Sequence, residues 1–180
     1  MRPNRLRKTL TLRGASQITA FDGTTWWRID PFASGAAVGP VPEAELPDLQ
    51  EESEFDGPLL TRGLPRSRFR YVGASVVTVG GRRVPVHSIH VTFPNGRETT
   101  VHLDAGSFLE VLRTQTRPVM GRETAMELTS SDYRDVQGLK VPHLLEIRIT
   151  GMPSPIRIAV REMRLNVPMR ADAFARPSRE

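Results

Sequence analysis

From Phe69 onward, turn residues recur at roughly ten-residue spacing between short apolar-alternating runs, and no other feature constrains this chain as much. The runs are Phe69 to Val79, Val84 to Phe93, Arg97 to Leu103, Phe108 to Thr116, Arg122 to Ser130, Val141 to Ile149 and Ile156 to Val167. Segments this closely spaced leave no room for the crossover helices that parallel strands require, so the sheet they build is antiparallel. No glycine-rich phosphate loop and no parallel sheet to hold one can be found.

The region before Phe69 begins in the same style. Leu6 to Arg13, Ser16 to Phe21 and Thr24 to Asp30 read as strands, with Asp22-Gly23 as a turn. Phe32 to Pro42 reads as a Gly-rich loop. Glu43 to Asp56 is acidic, and Leu46, Leu49 and Phe55 share one helical face. Proline is tolerated only in a first turn, so the spacing predicts a short turn and then a helix from about Pro47, stopped at Asp56-Gly57-Pro58. Leu59-Leu60 starts a further short helix on this reading. The fold class expected is therefore mainly β with short helices (α+β). Its frame is a strongly curved antiparallel sheet with a covering helix near residues 43–56, in one domain over residues 1–180.

One hairpin can be read in register. A three-residue turn at Pro94-Asn95-Gly96 sets Phe93 against Arg97 and aligns Ile89 and Val91 with Val101 and Thr99. A two-residue Asn-Gly turn would scatter these residues over both faces. In the last strand, Ile158 and Val160 fall out of phase with Met163 and Leu165, which predicts a bulge near Arg161-Glu162. A bent sheet with one apolar side and an amphipathic helix available to cover it makes either a cradle for an apolar ligand or a filled core. The residues alone leave both open.

Composition narrows the chemistry. Cysteine is absent, which removes disulfides, thiolate nucleophiles and cysteine-held metals. The net charge of +5 is carried by arginines spread along the chain, with few aromatics among them, which does not make a nucleic-acid surface. No apolar run approaches the length of a membrane helix. Met1-Arg2-Pro3-Asn4-Arg5 is basic like the start of a secretory signal but is not followed by an apolar stretch. His90 and His102 lie diagonally on the polar face of the hairpin beside Ser88 and Thr100. Lacking a third and fourth ligand, they read as polar-face histidines and not as a metal centre. Asp132-Tyr133-Arg134-Asp135 reads as a turn whose aspartates cap backbone amides. No GxSxG elbow is present. No catalytic residue, metal or cofactor is assigned. Trp26 and Trp27 point to opposite faces of their strand, Trp27 inward and Trp26 toward an edge or a partner.

Several segments taken together carry a family resemblance. They are Phe21-Asp22-Gly23-Thr24-Thr25 leading to Trp27 and Pro31-Phe32; Phe55-Asp56-Gly57-Pro58-Leu59; Leu103-Asp104 with Phe108-Leu109-Glu110; and Gly121-Arg122-Glu123-Thr124. Asp132-Tyr133-Arg134-Asp135-Val136, Gly138-Leu139-Lys140-Val141-Pro142-His143 and Asn166-Val167-Pro168 continue it, with Phe174 and Pro177 beyond. The chain resembles the bacterial outer membrane lipoprotein-sorting protein family, related to the periplasmic carrier LolA. That resemblance implies an unclosed half barrel whose apolar concave face receives lipoprotein acyl chains or another lipid. It also implies a periplasmic location, envelope transport proteins as partners, a monomer, and a signal peptide and leading helix upstream of this chain's first strands. On strand parity the residues assigned to the concave face are Trp27, Ile29, Ile89, Val91, Phe93, Val101, Leu103, Leu109, Val111, Leu145, Ile147, Ile158 and Val160, with Leu49 and Phe55 from the helix.

Overall fold

The dipeptide turns and alternating runs are realised as antiparallel strands, and two-residue turns at residues 13–14, 80–81 and 137–138 join neighbouring strands. A computed structural model describes residues 5–33, 37–53, 57–59, 67–119, 121–170 and 172–177. Within it the chain groups into two compact units, Met1–Gly63 with Pro168–Glu180, and Leu64–Val167. The antiparallel strands expected from the sequence are divided between two sheets, neither closed into a barrel.

In the first unit, β1 (Leu6–Leu12), β2 (Ala15–Phe21), β3 (Trp26–Ile29) and β4 (Val38–Pro40) lie in chain order in one sheet. Arg13 and Gly14 both take positive φ, +50° and +82°, and so form a two-residue reversal whose twist matches the strands it joins. Asp22 accepts the Thr24 and Thr25 N–H groups at 2.8 Å and fixes the next turn, and these bonds hold its carboxyl below the usual carboxylate range. A 3-10 turn, Glu43–Glu45, precedes α1 (Leu46–Ser53), with Pro47 in the first turn as expected. Phe55, Asp56 and Leu60 lie outside the described residues, as does most of the second predicted helix.

Both tryptophans are buried, on opposite faces of β3. Trp26 stacks on Phe21 at 4.8 Å and packs with Val41 and Leu49, so α1 covers this face. Lys8 reaches Glu52 at 2.8 Å and Arg28 reaches Glu45 at 3.0 Å, which ties the helical segment to the same side. On the other face Trp27 is wholly buried beside Ala20. Its indole N–H donates to the Phe174 carbonyl at 3.0 Å, and the Arg7 guanidinium stands 5.9 Å from the ring. The expectation that Trp26 serves an edge or a partner is therefore corrected, because a helix covers it.

The second unit is a meander. β5 (Arg68–Val79), β6 (Arg82–Thr92), β7 (Glu98–Asp104), β8 (Glu110–Val119), β9 (Arg122–Val136), β10 (Leu139–Ile149) and β11 (Ile156–Ala159) pair in sequence order, every pair antiparallel. The Pro94 hairpin has the three-residue turn. Phe93 N–H donates to Arg97 O at 2.8 Å, Gly96 takes φ +80°, and Ile89 pairs with Val101 and Val91 with Thr99.

Two expectations are corrected here. β9 continues through Asp132-Tyr133-Arg134, where a turn was predicted. Ladder pairing with β10 and the Tyr133 hydroxyl, which donates to Glu110 O at 2.6 Å, outweigh the turn preference of the aspartates. β11 ends at Ala159, so Arg161-Glu162 lies outside the sheet and makes no bulge. The bulges fall at Val72 in β5 and Val111 in β8, each an extra residue in the register. Tyr133→Phe should cost about 1 kcal/mol, since it leaves the Glu110 carbonyl without its donor. Urea denaturation would read this as a lower midpoint at unchanged slope.

Candidate functional site

Strand alternation gives the seven-stranded sheet one largely apolar face and one polar face. Cross-strand pairing places Ile89 beside Val101, Leu145 beside Ile158 and Ile147 beside Ile156, all on the apolar face, with Val91 and Leu103 on the same face in the adjacent rows, paired with Thr99 and His87. Val91 and Val101 are fully buried, Phe93 at the end of β6 is buried, and Ile89, Leu103, Leu145 and Ile147 are half-buried. The face opens to solvent at its two margins. Ile156 and Ile158 are exposed on β11, and Phe69 and Tyr71 on β5.

The remaining assigned residues do not join this surface as a set. Trp27 and Ile29 belong to the four-stranded sheet, and Leu49 packs with Trp26 on the face opposite Trp27, so helix and Trp27 do not line one cradle. Leu109 lies in the β7–β8 connection, where its carbonyl accepts from the Asp104 N–H. Val111 is the bulge residue of β8, and Val160 follows β11 with its N–H donating to His143 O. Phe55 lies outside the described residues.

The polar face carries the two hairpin histidines. His102 Nδ1 bonds Ser88 Oγ at 2.8 Å, and His90 Nδ1 bonds Thr100 Oγ1 at 3.2 Å. These are the neighbours the register supplies, and among the described residues no three histidine or acidic side chains gather as a metal site. Burial holds His102 below the usual imidazole range, with Glu110 opposing. The unfolded chain therefore takes up the proton more readily than the folded one. This contribution to stability is present above the unfolded value near 6.5 and is lost as pH falls through the lower folded value. Replacing His102 with asparagine should flatten the stability-against-pH curve below 6.5, and denaturation midpoints taken on either side of that pH would show it.

Two cavities adjoin the sheet. One, of about 710 Å³, is lined by His90, Glu98, Thr100, Thr114, Thr116 and neighbours. The other, of about 840 Å³, is lined from both ends of the sheet: Val79, Arg82 and Val84 of the β5–β6 hairpin, and Thr129, Leu144 and Arg148 of β9 and β10. β5 and β10 are separated in the sheet by four strands, β6, β7, β8 and β9, so a cavity that touches both requires a curved sheet. Sequence reasoning assigned Val111 alone of this second lining. The available signal was the Gly80-Gly81-Arg82-Arg83 tip, a basic pair on a hairpin that outruns β7.

Among solved structures, an outer membrane lipoprotein-sorting protein domain from Vibrio parahaemolyticus is similar, with a TM-score of 0.57 and 14% identity over 95% of this chain and 81% of that one. At that identity the likeness is one of fold. No family model and no curated protein matches the chain.

Proposed function

We propose that residues 1–180 form a non-enzymatic periplasmic carrier that holds lipoprotein acyl chains or another lipid against the apolar face of the seven-stranded sheet. The observation that carries this reading is the pair of cross-strand apolar contacts, Leu145 with Ile158 and Ile147 with Ile156, that reach solvent at β11, on a fold shared with a lipoprotein-sorting domain. Binding would rest on apolar burial with little directional chemistry, which suits capture and hand-off. Each methylene buried adds about 0.8 kcal/mol, close to fourfold in affinity. Titration with a series of fatty acids of increasing length should show that steep dependence; an affinity that ignores chain length contradicts the proposal.

A second reading, an envelope interaction domain with a filled core, is favoured by the complete burial of Val91 and Val101 on β6 and β7 of the same face. It predicts no uptake of any member of the series.

A further inference from the structure

The larger cavity belongs to neither the apolar rows nor the histidine pair. β7 pairs with β6 only as far as Val86, so the β5–β6 hairpin continues past it as a two-stranded arm, reversed by Gly80 and Gly81 at φ +56° and +79°. The Ala105 N–H donates to Pro85 O at 2.9 Å and fixes the base of the arm. The extra residue at Val72 bends β5 below it. The arm faces β9 and β10 across about 840 Å³, a volume typical of small-molecule sites.

The lining is amphiphilic in a particular way. Val79, Val84, Pro85, Val111 and Leu144 supply an apolar wall. Only part of the charge is paired, and Asp104 is held ionised by neutral donors. Glu146 pairs with Arg148 at 3.1 Å and with Arg157 at 2.9 Å, and Asp104 accepts from the Ser107 hydroxyl at 2.8 Å, the Ser107 N–H at 2.7 Å and the Gly106 N–H at 3.1 Å. Among the described residues Arg82 and Arg83 have no ion pair or side-chain hydrogen bond, and Glu127 is the one carboxylate of the lining left similarly uncommitted. The site thus sets the guanidinium groups of Arg82, Arg83, Arg148 and Arg157 against the carboxylates of Asp104, Glu127 and Glu146, beside an apolar wall, and of these cations Arg82 and Arg83 are the two without a partner among the described residues.

We infer that this cavity binds an anionic amphiphile, with one acyl chain against Val84, Val111 and Leu144 and its carboxylate or phosphate at Arg82 and Arg83. Arginine suits that role because its fork donates to either oxyanion at two points. The inference names the head-group chemistry of a carried lipid, yet it uses residues other than the apolar rows of the proposed carrier face.

The test compares palmitate, palmitoyl lysophosphatidate and hexadecan-1-ol as ligands of the intact chain by calorimetric titration. Both anions should bind about tenfold or more tighter than the alcohol, and the stronger of the two identifies the head group. Arg82→Gln with Arg83→Gln should remove that preference, and Leu144→Trp, which fills the cavity from a partly exposed position, should block all three ligands. Thermal unfolding of both variants confirms that the fold is retained. Equal binding of alcohol and anions, or an anion preference that survives loss of both arginines, overturns the inference. If all three bind alike and binding is lost with Ile158→Asp instead, the carrier reading stands and this site falls. If none of the three binds, both fall.

Discussion

Replacing Trp27 with alanine is expected to destabilise the four-stranded unit by about 3–5 kcal/mol, the cost of deleting a large buried aromatic ring. The ring has no solvent exposure and meets Ala20 across the strand pair. Its N–H holds the Phe174 carbonyl and its face meets the Arg7 guanidinium, so one substitution removes packing, a buried hydrogen bond and a cation–π contact together. Trp27→Phe keeps much of the volume but leaves that carbonyl without its donor, and should lose a smaller part of this, about 1–3 kcal/mol. Trp26 remains in both variants as a fluorescent reporter, stacked on Phe21 on the opposite face. A urea midpoint for Trp27→Ala within error of the parent would contradict the packing described.

The second large effect is expected at Val91, fully buried and paired with Phe69 and Thr99 across the sheet. Val91→Asp places a carboxylate where neither paired side chain is cationic. Burying an unpaired charge, with the valine contacts also lost, should exceed about 4 kcal/mol and leave the seven-stranded unit largely unfolded. Val91→Thr changes the shape little and buries one hydroxyl, so it should cost about 1–3 kcal/mol. Ile158→Asp makes the contrast. That side chain is 43% exposed on the terminal strand, so the substitution should leave stability within about 0.5 kcal/mol while it removes apolar surface from the proposed carrier face. Circular dichroism through a denaturant series separates the three.

What could be read from the sequence follows from where local and tertiary signals agree. The Pro94 hairpin was legible because a single turn geometry brings Ile89, Val91, Thr99 and Val101 to one face, and burial enforces that register. Pro47 located the start of α1 because proline fits a first turn and little else in a helix. The continuation of β9 through Asp132-Tyr133-Arg134 was hidden because aspartates favour turns locally, while the ladder to β10 and the Tyr133 bond to Glu110 are long-range. The end of β11 was overrun for the opposite reason: the apolar spacing at Met163 and Leu165 mimics a strand that has no partner there. Parity assigned Ile89, Val101, Leu145, Ile147 and Ile158 to one face of one sheet, since alternation is a local rule. It could not report that Trp27 and Leu49 end on opposite sides of a different sheet, because that depends on where α1 packs. The cavity beside the hairpin arm was out of reach too. It depends on curvature summed over several strands and on which charges find partners, and neither is a property of any one segment.

The most direct test of the carrier proposal is native mass spectrometry of the chain purified from a bacterial host, followed by organic extraction and identification of whatever is bound. Co-purifying acyl lipid near one equivalent is the result predicted. A clean unliganded mass that also ignores added fatty acids and lipopeptides would contradict the carrier and leave a filled-core interaction domain in its place.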